Sequence, residues 1–132
     1  MLIIAGYAGV LGILYIVLSY QVVSLRRREK VGLGDGGNND VLQAMRVHAN
    51  FSEYVPISLI LLMLIAQNGG AEWMLHTFGG LLVVARTLHA FGFSKKKGPS
   101  FGRYWGTLLT WLNLLVLSII NLLLVYTGSI AV

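Results

Sequence analysis

The chain has 132 residues, of which 56% are hydrophobic and 11% charged, with ten Lys and Arg against five Asp and Glu and no cysteine. A mean hydropathy of +0.74 lies outside the usual range of soluble domains, and the missing cysteines exclude disulfides, iron–sulfur clusters and a cysteine nucleophile, so thiol chemistry here requires a thiol brought by a ligand. The net charge of +5 gives no support to nucleic-acid binding, because the basic runs lack interleaved aromatic residues.

Leu2 to Leu25 carries no charge and makes about 36 Å of helix, enough to cross a hydrocarbon core of about 30 Å. A cleaved signal peptide would have a shorter apolar run and a basic start. Arg26, Arg27, Arg28 and Lys30 follow, then the glycine-rich GLGDGGNND, which has neither the preceding strand nor the Lys-Ser/Thr of a phosphate loop. The second helix is expected at about 41–67, capped by Asp40 with Gln43 three residues on, bent at Pro56 and stopped by Asn68, Gly69 and Gly70. The third spans about 72–93 and the fourth about 101–128, after a loop holding Lys95, Lys96 and Lys97, with Pro99 and Ser100 at the start of helix four. The expected fold is therefore an all-α membrane protein, a single domain over 1–132 made of four transmembrane helices running up and down.

Charge placement sets an orientation. Every one of the ten Lys and Arg lies in or near the first and third loops, whereas loop two and both ends have none. The positive-inside rule puts those two loops in the cytoplasm and both termini outside it.

Within helix two, RVHANFSEYVP places Arg46, Asn50 and Glu53 at i, i+4 and i+7, on one helical face. Charges at membrane depth cost about 2.5–3.5 kcal/mol each on insertion scales, so these residues should face protein or a polar cavity. Helix three adds Arg86 and His89 at i, i+3, and helix four adds Arg103 near its start. Counted from the helix ends, Arg46, Arg86 and His89 lie within about 10 Å depth and Glu53 near about 20 Å. If they converge, the site is cationic with one buried carboxylate, and suits a small polyanion that also carries an ammonium group. Blander readings fit the same residues: Arg46 and Arg103 can snorkel to headgroups, Glu53 can form a structural ion pair with Arg86, and His89 can be a packing residue. His48 and His76 read as interfacial, and the three histidines do not make a metal site. Trp73, Tyr104 and Trp105 read as interfacial anchors. Ala5-xxx-Gly9, Ala8-xxx-Gly12 and Gly102-xxx-Gly106 suit close helix approach, and Asn113 and Asn121 suit hydrogen bonds between helices.

The four helices, the basic first and third loops, RVHANFSEYVP and the helix-three run VVARTLHAFGF together resemble the MAPEG superfamily, the membrane-associated proteins of eicosanoid and glutathione metabolism, most closely its bacterial branch. The resemblance implies a homotrimer in the bacterial inner membrane, with glutathione as cosubstrate bound between subunits near the cytoplasmic face. It implies glutathione contacts for Arg46, Asn50, Glu53, Arg86 and His89, and thiolate stabilisation by Arg103. Ala49 and Phe93 depart from an arginine and a tyrosine of relatives, and Val23 or Ser24 stands where some members place an arginine, leaving Arg26 as the nearest substitute. The implied activity is conjugation of glutathione to a lipid-soluble electrophile, or peroxide reduction. Some members instead bind lipid without catalysis, so a noncatalytic protein that binds lipid or supports a partner is the alternative.

Overall fold

A computed structural model describes residues 1–95 and 101–127. It contains four helices: α1 (Leu2–Arg28), α2 (Asn39–Gln67), α3 (Glu72–Lys95) and α4 (Phe101–Thr127). All four are long and apolar enough to cross a membrane, as expected, and no strand occurs among the described residues. Lys96, Lys97, Pro99, Ser100 and the expected end of helix four at 128 lie outside the described residues, as does the side chain of Phe93.

The helix limits differ from expectation where polar chemistry, not hydrophobicity, ends a helix. α1 continues through Arg26, Arg27 and Arg28, so these arginines form its last turn and are not loop residues. The first charge marks the edge of the hydrocarbon, while the backbone keeps its helical bonds into the headgroup layer. α2 is capped by Asn38, not Asp40: the Asn38 Oδ1 accepts from the Asp40 and Val41 amides at 2.9 and 3.3 Å. Asp40 instead sits in the first turn, where a carboxylate complements the helix dipole. The stop after α2 is as expected. Gly69 adopts φ +83° and the Gly70 amide reaches back to the Ile65 carbonyl at 2.9 Å, a Schellman closure. α2 runs unbroken past Pro56.

α3 and α4 form the most extensive pairing, α2 touches all three other helices, and α1 leans on α2 and α3 without touching α4 among the described residues. The α3–α4 approach depends on small residues: a Cβ on Gly106 would sit 2.7 Å from the Ala85 carbonyl oxygen and the His89 Cβ, and one on Gly102 would sit 2.7 Å from the Leu88 carbonyl oxygen. Gly102-xxx-Gly106 thus makes the close contact expected of it. The α1 pairs do not, because nothing lies within 4 Å of where a Cβ on Gly9 or Gly12 would be. Two apolar clusters fill the interior. Leu11, Leu18, Val47, Phe51, Val55 and Leu82 lie toward loops one and three, and Ile4, Leu62, Ile65, Leu75, Leu117 and Leu124 toward loop two. The remaining faces are exposed and apolar, including Ile13, Leu112, Leu115 and Leu122, the pattern of a chain whose outer solvent is lipid.

Candidate functional site

Beside the first apolar cluster, the polar face of α2 meets α3 and α4. Arg86 is 1% exposed, and its Nη2 donates to Asn50 Oδ1 at 2.7 Å and to His89 Nδ1 at 3.3 Å. Arginine has no acceptor, so the His89 Nδ1 lone pair takes this bond and the ring proton resides on Nε2. Nη1 donates to Thr110 Oγ1 at 3.4 Å, and the Thr110 hydroxyl in turn donates to the Gly106 carbonyl at 2.7 Å. The rings of Phe51 and Tyr54 stand 5.8 and 6.0 Å from the guanidinium carbon, within cation–π range. Three helices therefore solvate one buried cation with an amide, an imidazole, a hydroxyl and two aromatic faces.

Glu53 makes no hydrogen bond or ion pair with this cluster among the described residues. It is exposed on the chain surface, and among the described residues the single ion pair joins Arg28 to Glu29 at 2.7 Å. A Glu53–Arg86 ion pair within the chain is corrected by this geometry. The reason lies in the helix wheel: Glu53 stands about 60° from Asn50 but only about 20° from Arg46. Asn50 turns into the bundle, and Arg46 and Glu53 share an outward line where both are exposed.

Of the sequence-derived residues, Asn50, Arg86 and His89 are brought together. Arg103 lies half-buried on the first turn of α4, whose backbone packs against α3 where Gly106 meets His89. Arg46 and Glu53 flank the cluster on the open surface. Arg26 stands apart at the end of α1, where its Nη2 donates to the Gly34 carbonyl at 3.1 Å. Thr110, Phe51 and Tyr54 are additions. Thr110 was readable in principle, since it follows Arg103 by seven residues and Gly106 by four on one face of α4. The two rings carry no polar signal and emerge from packing alone.

The other polar residues divide. Asn121 Nδ2 donates across to the Leu61 carbonyl at 3.1 Å, as expected of an interhelical amide. Asn113 is buried with neither amide atom hydrogen-bonded among the described residues. His48 is not simply interfacial: its Nε2 lies 2.9 Å from Ser19 Oγ and its ring 4.7 Å from that of Tyr15, tying α2 to α1. His76 Nδ1 lies 2.9 Å from the Tyr7 hydroxyl near loop two.

Comparison with known proteins agrees with the pattern. Residues 4–123 match the model of the MAPEG family. The chain is 36% identical over 118 residues, 89% of its own length and 88% of the relative's, to the protein named inner membrane protein YecN of Escherichia coli strain K12. It has the same identity and coverage with the protein of that name from Escherichia coli O6:H1. With the four membrane-crossing helices, the polar α2–α3–α4 cluster and a family match over nearly the whole chain, the protein is an integral membrane protein of the MAPEG family.

Proposed function

We propose that this protein is a glutathione-dependent transferase or peroxidase of a bacterial inner membrane, acting on lipid-soluble electrophiles, with glutathione held as a thiolate between subunits of a homotrimer. The observation that carries the reading is the exposure of Arg46 and Glu53 at membrane depth beside the buried Asn50–Arg86–His89 cluster. A cation and a carboxylate facing hydrocarbon are costly, so this surface needs a covering that is both charged and polar. Glutathione offers two carboxylates to Arg46 and the cationic cluster and an ammonium to Glu53. A neighbouring copy closes the remaining side. Arg26 is turned to the Gly34 carbonyl at the end of α1, apart from the cluster, so it would serve this ligand from an adjacent subunit. Asn50 Oδ1 is engaged by Arg86, so Asn50 meets the ligand through its amide NH2.

Arg103 stabilises the thiolate. A free thiol has a pKa near about 8.5, and a cation in a water-poor site favours its ionised form. In conjugation the sulfur forms a bond to an electrophilic carbon as the leaving group departs with the bonding pair. In peroxide reduction two glutathione molecules become the disulfide, and the peroxide becomes alcohol and water. The electrophile enters from the bilayer through the apolar subunit boundary.

The noncatalytic alternative rests on a different feature, an apolar groove of about 390 Å³ between α1 and α2 lined by Ala5, Ala8, Leu59 and Met63, which fits an acyl chain. A glutathione titration paired with turnover of a hydrophobic aryl halide and a lipid hydroperoxide separates the readings. Binding with turnover of either substrate is expected. Absence of turnover with both, whether or not glutathione binds, favours the alternative.

A further inference from the structure

The end of α1 departs from ordinary helix chemistry in two ways. It closes in a Schellman arrangement, with the Val31 amide reaching the Arg26 carbonyl at 2.9 Å and the Lys30 amide reaching the Arg27 carbonyl at 3.3 Å. The residue at the left-handed position of such a closure is ordinarily glycine. Here it is Lys30 at φ 54°, the one non-glycine residue with positive φ among those described. Glycine is plentiful in the following residues, so the strained position carries a lysine for some gain other than backbone comfort.

The gain is legible in what Lys30 lines. With Arg26, Arg27 and Val23 it walls an open groove of about 370 Å³. Arg26 is fixed by its bond to the Gly34 carbonyl, and its buried Nε has no hydrogen-bond partner among the described residues. The nearby carboxylate does not neutralise the groove, because Glu29 is engaged by Arg28 at 2.7 Å and by Asn38 at 3.1 Å. Helix-dipole complementation explains basic residues in a last turn, but explains neither the strained lysine nor the shared concavity.

The surface below the groove identifies the occupant. Ile16, Tyr20, Val23 and Arg27 succeed one another at spacings of four, three and four, one stripe of α1. The first three are 65%, 71% and 45% exposed. An apolar track along the helix thus runs up to a cationic groove at the point where the charge-free segment ends, the level of headgroup phosphates. We infer that the groove formed by Arg26, Arg27 and Lys30 binds the phosphate of an anionic phospholipid, whose acyl chain lies along Ile16, Tyr20 and Val23. The two guanidinium groups supply forked donors to phosphate oxygens and Lys30 supplies a point charge. Within one chain this groove stands apart from the α2–α3–α4 cluster; it shares only Arg26 with the glutathione site proposed above, so the test alters Arg27 and Lys30 and leaves Arg26 in place.

The test is thermal unfolding of the detergent-solubilised protein titrated with phosphatidylglycerol, with phosphatidylcholine and with inorganic phosphate. Phosphatidylglycerol should raise Tm saturably and phosphatidylcholine should not. In the R27Q/K30Q variant the half-saturating concentration should rise about fivefold for each cation removed, with glutathione affinity unchanged. Lys30→Gly should raise Tm without lipid, by relieving the left-handed lysine, while weakening the lipid response. A saturable response to inorganic phosphate that R27Q/K30Q abolishes would keep the phosphate site but overturn its lipid source. Equal lipid response in wild type and R27Q/K30Q, or no response to phosphatidylglycerol in the wild type, would overturn the proposal.

Discussion

At the scale of single residues, the central fact is a buried cation that no carboxylate pairs with among the described residues. Arg86 is held by Asn50, His89 and Thr110, so its stability depends on neutral dipoles. Hydrogen bonds to charged groups contribute about 1.5–3 kcal/mol. Asn50→Ala should therefore destabilise the fold by about that amount, seen as a lower Tm in detergent. Glu53→Ala should behave oppositely. Being exposed and outside any ion pair among the described residues, Glu53 should leave unfolding of the isolated chain within about 0.5 kcal/mol while weakening glutathione affinity. A large loss of stability without loss of affinity would return Glu53 to a structural role. For Arg103, Arg103→Ala should lower turnover about a hundredfold at saturating glutathione, the scale of losing one preorganised electrostatic partner, with affinity within a few-fold. Arg103→Lys should restore part of the rate, since an ammonium keeps the charge without the planar fork. Arg46→Ala should weaken binding more than turnover. Steady-state kinetics beside calorimetric titration distinguish the two arginines.

At the scale of helices, backbone proximity between α3 and α4 is what allows Thr110 to reach Arg86. Gly106 places the α4 backbone against Ala85 and His89, and a methyl group there meets backbone atoms that cannot rotate away. Gly106→Ala should cost about 1–3 kcal/mol, the range for overpacking a close contact, and should also loosen the Thr110–Arg86 bond. Gly9→Ala supplies the contrast, because a Cβ there meets nothing within 4 Å and alanine favours a helix by about 0.5–1 kcal/mol over glycine. An unchanged or higher Tm is expected. A lower Tm confined to the assembled form would mean that Gly9 meets a neighbouring copy.

At the scale of the whole molecule, charge asymmetry bears on orientation and the exposed Arg46–Glu53 line on assembly, and each makes a prediction. All the cations lie in loops one and three or in the helix segments flanking them, and loop two has none. A phosphatase reporter fused after Val132 should therefore be active outside the cytoplasm, and a fluorescent reporter that folds only inside should stay dark. The reverse result would invert the bundle and place the candidate site at the opposite membrane face. Mass measurement of the solubilised protein should give three copies, and Arg46 and Glu53 should become protected from aqueous labels only in that form.

Hydrophobic run length, loop charge and the i, i+4, i+7 spacing of Arg46, Asn50 and Glu53 are local properties, so four spanning helices, their up-and-down order and the family are all legible from the residues alone. The same local logic identified Gly102 and Gly106 as contact residues and Asn121 as an interhelical donor. It could not choose among neighbours on a shared face. A helix wheel puts Asn50 and Glu53 about 60° apart, and only the packed position of α3 decides that one turns inward to Arg86 while the other remains outside. Nor could it find Phe51 and Tyr54, whose role arises because a guanidinium from another helix arrives over their rings. The end of α1 follows the same division. Hydropathy locates the last apolar residue at Leu25, but the helix ends where backbone bonds close around Lys30, because amide and carbonyl groups continue to pair after the side chains have left the hydrocarbon.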